Sequence, residues 1–302
     1  MSFNFRRTCV PFIALFIAQF YSLCGLAADA EKKSAITSQK ITDDIYMLSG
    51  DGGNIGVLIG DDGTFMIDDK FARLSDDIMS SIKKLGGTEP DYLVNTHFHA
   101  DHTGGNESFG KAGSTIVAHH SVRARLTTKT EIAAFDMVTP PQPKDALPVI
   151  TFSKDMRLHI NGHTLSITHV PAAHTDGDSI VHFVEANVIH TGDVFFNGLF
   201  PFIDVTHRGS LGGMISATDK VLSIANAQTK IIPGHGPLAS LSDLQDYRNM
   251  LATAEKRLSV LKKRGMKAKD IIAAKPLQDM DAKWGNGMFK SDRWIEIIYD
   301  GI

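Results

Sequence analysis

Beyond residue 24 the sequence contains no cysteine. That absence removes disulfides, thiolate metal ligands and a cysteine nucleophile from everything downstream. A basic stripe is also lacking: 31 Lys and Arg stand against 34 Asp and Glu, for a formal charge of -3. A mildly acidic chain without clustered cations is a poor partner for nucleic acid. No linker-like stretch divides the chain, so a single domain is expected.

The two cysteines, Cys9 and Cys24, flank an apolar run that ends at Leu23. Arg6 and Arg7 precede it, and Gly25-Leu26-Ala27 follows with small residues at the cleavage-determining positions. This is the layout of a secretory signal peptide cut after Ala27. Leu23 stands where a lipoprotein wants a small residue before its cysteine. Residues 28–302 are then the expected mature chain, periplasmic or secreted, with no stable membrane association. Losing Arg6 and Arg7 takes the formal charge from -3 to -5.

What is present centres on Thr96-His97-Phe98-His99-Ala100-Asp101-His102-Thr103-Gly104-Gly105. The apolar run Tyr92-Leu93-Val94 before it reads as a buried strand, so three imidazoles and a carboxylate leave a strand end, where α/β sheets gather ligands. His97, His99 and Asp101 alternate and His102 breaks the alternation, which suits two adjacent metals better than one. Three further strand-like runs end in His174, Asp193 and His235, within Ala173-His174-Thr175, Gly192-Asp193 and Gly234-His235-Gly236. His159, His163, His169, His182 and His190 fall outside these positions and read as strand or turn residues.

HxHxDH, the later His, the Gly-Asp and the Gly-His-Gly, in this order, resemble the metallo-β-lactamase superfamily from about Ile41 to Gly236. The resemblance implies two Zn2+ per chain. One is expected on His97, His99 and His174 and the other on Asp101, His102 and His235, with Asp193 between them. Asp101 and Asp193 are the expected catalytic carboxylates, and Asp68 is expected to fix a ligating imidazole from behind. The activity implied is metal-assisted attack by a bridging hydroxide on an ester, lactone, thioester or amide of a small-molecule substrate. A β-lactamase is the first alternative, although members sharing HxHxDH usually lack the carboxylate at Asp193. An iron-dependent oxidoreductase is disfavoured by His99, where such members carry Glu. A metal-binding protein without turnover is the remaining alternative.

The rest of the chain alternates strands and helices. Strands are expected at 45–48, 55–59, 64–67, 92–94, 114–118, 149–152, 156–160, 165–168, 179–184 and 188–191. A helix is expected to start at the cap Ser75 and end at Gly86. A short helix from Ser121 and a helix after Gly212-Gly213 should follow. A long helix should open with a capping box of Ser242 and Gln245 and end at Gly265, and Trp294, Ile297 and Ile298 should dock a last helix. Lys129 to Pro148, rich in proline, reads as a loop, either a rim of the site or a plain surface connection. Asn197 to Ile203 reads as an apolar loop that lines a substrate pocket or packs in the core. With the resemblance, this gives an α/β fold: an αββα sandwich of two mixed sheets flanked by helices.

Overall fold

The computed structural model describes Met1 and residues 36–302; the signal-peptide reading of residues 1–27 rests on residues outside that part. Nine strands come from the first half of the sequence: β1 (Thr37–Lys40), β2 (Ile45–Ser49), β3 (Ile55–Gly60), β4 (Gly63–Ile67), β5 (Tyr92–Asn95), β6 (Thr115–His119), β7 (Thr130–Ile132), β8 (Met137–Thr139) and β9 (Ile150–Phe152). The second half adds β10 (Asp155–Ile160), β11 (His163–His169), β12 (Ser179–Phe183), β13 (Val188–His190) and β14 (Lys230–Ile232). The helices are α1 (Ser75–Lys84), α2 (Ala100–Thr103), α3 (Asn106–Lys111), α4 (His120–Leu126), α5 (Leu211–Ile224), α6 (Leu241–Lys263), α7 (Ala268–Ala273), α8 (Asp281–Trp284) and α9 (Ser291–Ile298).

Two sheets result. The first runs β1-β2-β3-β4-β5-β6-β9, antiparallel as far as β4 and parallel beyond it. The second runs β10-β11-β12-β13-β14, with only β13 and β14 parallel. Both are mixed, as expected. They face each other through one apolar layer in which Ile45, Phe65 and Val94 of the first meet Ile167, Phe183 and Ile232 of the second. Phe65 and Phe183 cross that layer edge to face, 6.2 Å between centroids. Burying each such side chain contributes about 1.5–3 kcal/mol.

The outer faces are covered by helices. Ile78 and Ile82 of α1 and Phe109 of α3 pack on Met66, Leu93 and Ile116 behind the first sheet. Behind the second, α5, α6 and α9 bury Met214, Leu244, Leu251 and Trp294 against Ile180, Ile189 and Ile231. Helix, sheet, sheet and helix make the αββα sandwich.

Three local expectations are corrected. Ser75 is the first residue of α1 and not its cap, because a 3-10 turn at Ala72–Leu74 leads directly into the helix and Leu74 takes the cap position. The capping box of α6 is Ser240 with Asp243, not Ser242 with Gln245. The helix begins earlier, and the short Asp243 side chain still reaches the Ser240 N–H at 2.8 Å. Lys129 to Pro148 is not a plain loop: it holds the hairpin β7–β8, which pairs as a separate two-stranded sheet and turns through Asp136 at a φ of 50°.

Candidate metal centre

All the singled-out strand ends open on one edge of the sandwich. His97 follows β5, His174 follows β11, Asp193 follows β13 and His235 follows β14. The extended run stops at His99, whose φ and ψ of -65° and 148° cap α2. Asp101 and His102 therefore sit on a helical turn, and Asp101 does not continue the alternation expected for it. The turn separates the side chains into two groups: His97, His99, His174 and Asp193, and Asp101, His102 and His235. The ligand atoms of each group lie within 4.8 Å of one another.

Asp193 faces both. Its Oδ2 lies 3.4 Å from His174 Nε2 and 3.8 Å from His97 Nε2; its Oδ1 lies 3.1 Å from His102 Nε2 and 3.3 Å from His235 Nε2. Asp101 Oδ2 is 3.5 Å from His102 Nε2 and 3.3 Å from His235 Nε2. Two glycines permit this density. A Cβ on Gly53 would lie 2.1 Å from the His102 ring, and one on Gly234 would lie 2.1 Å from Asp193 Oδ1. Lys70, fully buried, donates from Nζ to the Gly53 carbonyl and so pins the loop against that ring. Burial brings its pKa down to about 8, against the pull of Asp101, Asp51 and Asp68.

The outer nitrogens of four rings are occupied by acceptors. His102 Nδ1 is 2.7 Å from Asp68 Oδ2, and Asp68 also accepts the Thr96 N–H and hydroxyl at 2.7 Å each. Asp68 adopts a φ of 60°, a left-handed conformation uncommon for a residue with a Cβ. The hydroxyl of Thr96, having given its proton to Asp68, accepts from His97 Nδ1 at 3.1 Å. His174 Nδ1 donates to the Phe202 carbonyl at 2.8 Å, and His99 Nε2 donates to Asp204 Oδ2 at 3.0 Å. Assigned this way from the hydrogen-bond network, each ring turns a bare lone pair inward.

Those lone pairs fit a cation. His174 Nε2 and His99 Nδ1 face each other at 2.8 Å with no proton left to share. His97 Nε2 is buried without a hydrogen-bond partner. Imidazole and carboxylate are the donors that zinc takes. The electrostatics agree. Burial opposes charge on His102 and His235, yet Asp193 and Asp101 raise His102 well above the usual imidazole value and His235 to about 9. Burial lowers His97 well below that value and His174 to about 4. Asp193 stays well below the carboxylate range: burial works against it, and the imidazoles led by His102 prevail. The cluster is arranged for positive charge at its centre.

Asp204 is the residue that sequence reading did not single out. It accepts from His99 and, at 2.6 Å, from His207 Nδ1. The apolar loop 197–203 divides its roles: Phe202 lines the site, while Phe200 stacks on Trp294 in the core, 4.6 Å between centroids. Of the histidines set aside, His190 is buried and spends both nitrogens, on the Asn54 carbonyl and the Gly192 N–H. His159, His163, His169 and His182 lie in neither group.

A mixed two-sheet sandwich with a His/Asp cluster at one edge defines a class of metal-site α/β proteins, and comparison with known proteins specifies it. Residues 48–236 match the metallo-beta-lactamase superfamily model, and the chain belongs to that superfamily. A curated relative, "Acyl-coenzyme A thioesterase MBLAC2" of Gallus gallus, is 23% identical over 167 residues, which is 49% of this chain and 57% of that protein. The chain thus spans little more than half the length of that relative. Among solved structures, a metallo-beta-lactamase from Pontibacter korlensis superposes with a TM-score of 0.60 at 18% identity, covering 72% of this chain and 99% of that one. The stereoselective inverting sec-alkylsulfatase Pisa1 from Pseudomonas sp. gives 0.64 at 18% identity, covering 88% and 50%. These likenesses carry the fold.

Proposed function

We propose that the chain is an exported, zinc-dependent hydrolase that cleaves an ester, lactone, thioester or amide bond in a small molecule. The observation that carries this reading is Asp193, whose two oxygens each face one group of inward lone pairs. His97, His99 and His174 would hold one ion, Asp101, His102 and His235 a second, and Asp193 would join them. Zinc bound there supplies Lewis acidity, bringing the pKa of water toward neutrality and favouring negative charge that develops on oxygen.

The chain's own residues provide position. Asp68, Thr96, Asp204 and the Phe202 carbonyl fix four rings, so the donors are set before a ligand arrives. Asp101 and His235 border a cavity of about 190 Å³ from which a substrate reaches the cluster. The two carboxylates balance part of the charge of two divalent ions, leaving a net attraction for an oxygen that gains negative charge. The name of the thioesterase relative supports cleavage at a carbonyl carbon. Export rests on Arg6-Arg7, the apolar run and Gly25-Leu26-Ala27.

One preparation from a secreting host tests both halves of the proposal. Its N-terminus should begin at Ala28, elemental analysis should find about two zinc per chain, and at least one of a panel of carboxylic ester, lactone, thioester, amide and β-lactam substrates should turn over. An intact Met1 would remove export. Iron as the activating metal, or a zinc-loaded protein inert to the whole panel, would remove the hydrolase.

A further inference from the structure

Past the His/Asp cluster, no polar side chain among the described residues walls the cavity. Its floor is Phe71, Phe196, Phe202 and the buried Ile132. Its outer wall is Phe135 and Met137 from the β7–β8 hairpin, with Met288 from the segment before α9. The polar groups that line it, His99, Asp101, Asp193 and His235, all belong to the cluster already described. Among the described residues, no lysine, arginine or hydroxyl residue lines it.

The outer wall is exposed as well as apolar. Phe135 is 41% exposed, Met137 37% and Met288 58%, and Val138 beside them on the hairpin is 54% exposed. Among the described residues the hairpin pairs with no other strand. It is held by Phe135 against Phe202 and Phe289, at 4.8 and 5.9 Å between centroids, and by Arg293 donating to the Ala134 carbonyl. Large apolar side chains grouped at the mouth of an apolar cavity gain free energy when an apolar ligand covers them. A charged group placed there would lose its water and find no partner.

We propose that this cavity is an acyl subsite. The substrate brings a linear, uncharged aliphatic chain of medium length to the bond that is cleaved, and Phe135, Met137 and Met288 close over it. The polar remainder of the substrate points out to solvent. The hairpin β7–β8 therefore sets substrate specificity, and substrates with a charged group on the acyl chain itself are selected against. What is cleaved rests on the hydrolase reading above; what is bound does not.

The test reads the subsite without chemistry. The intact zinc-loaded protein is titrated with neutral linear alcohols, from propan-1-ol to octan-1-ol, and the methyl resonances of its methionines are followed. Of eleven methionines, Met137 and Met288 should respond. The dissociation constant should fall about fourfold with each added methylene while the chain fits, which is the gain from burying one such group. Met288→Ala, at a more exposed position outside the hairpin and its ring contacts, should weaken octan-1-ol by about tenfold and leave propan-1-ol unchanged. Affinity independent of chain length, or shifts confined to other methionines, would overturn the subsite whether or not the protein cleaves esters. A p-nitrophenyl ester series from acetate to octanoate separates the two claims. Length-dependent alcohol binding in a protein inert to these esters and to the rest of the hydrolase panel upholds the subsite and removes the hydrolase, and cleavage indifferent to chain length counts against the subsite alone.

Discussion

Asp193 and Asp204 do different work at the same centre, and substitutions tell them apart. Asp193 presents one oxygen to each group of imidazoles. Asp193→Asn keeps the size and one acceptor oxygen but removes the charge that would compensate two neighbouring cations, so one of the two zinc ions proposed above should be lost and turnover should fall by about 100-fold or more. Asp204 touches no inward lone pair; it holds His99 from behind. Asp204→Ala should retain both ions at saturating zinc but weaken their affinity by about 10–100-fold, the usual cost of losing a group that orients a ligand. Chelator competition, with circular dichroism to show that the fold persists, measures both. Equal zinc affinity in Asp204→Ala and the parent protein would remove the orienting role. Residue chemistry accounts for what was legible here. His97, His99, Asp101, His102, His174, Asp193 and His235 stand in short motifs that follow strands, and Asp68 follows β4. Asp204 was not legible, because its partner His99 is 105 positions away and its other partner, His207, is folded back by a 3-10 turn at Val205–His207.

At the scale of elements, the junction of β6 and α4 carries a pH dependence separate from the metal centre. His119 caps α4 through Nδ1, which accepts the Ser121 N–H at 3.3 Å, while Nε2 donates to the Ser153 carbonyl at 3.2 Å. His169, at the end of β11, stacks on it at 3.7 Å between centroids, so the pair also links the two sheets. Both nitrogens are satisfied only in the neutral ring. A proton on Nδ1 would face the Ser121 N–H at a helix N-terminus, where positive charge is disfavoured. Burial, with His169 and His120 adding to it and Asp176 opposing, lowers His119 to about 4. The unfolded chain takes up a proton near the ordinary imidazole pKa of about 6.5, and the folded chain resists it. This contribution to stability is complete above that pH and is lost as the pH falls toward 4. The melting temperature should drop on the order of 3 °C more between pH 7 and pH 5 in the parent than in His119→Gln. Parallel pH profiles would assign the acid sensitivity elsewhere. The elements themselves were legible where they were long and periodic, as in α1 and α6. The hairpin β7–β8 escaped because its strands are three residues each, and its reversal depends on Asp136 in a left-handed conformation and not on a glycine.

Over the whole molecule, the cluster joins halves that the chain order keeps apart. His97, His99, Asp101 and His102 come from the end of a strand in the first sheet, and His174, Asp193 and His235 from three strand ends in the second. Each of the two groups mixes both sources. A cation in either group would therefore fasten one edge of the two sheets together, in addition to the apolar layer between them. Without it, the facing nitrogens of His99 and His174 and the unpartnered His97 Nε2 are buried at a cost. Binding to the folded chain alone stabilises it by about 4 kcal/mol when free metal stands a thousandfold above the dissociation constant. In a chain of this size that corresponds to a rise in melting temperature of roughly 10 °C. Removing zinc with a chelator should lower the melting temperature by about that amount, and adding zinc back should restore it. Asp193→Asn should show a smaller drop, since it has less bound metal to lose. A melting temperature unchanged after metal analysis has shown complete removal would mean that the apolar layer alone holds this edge, and that the cluster binds its metal without fastening the sheets.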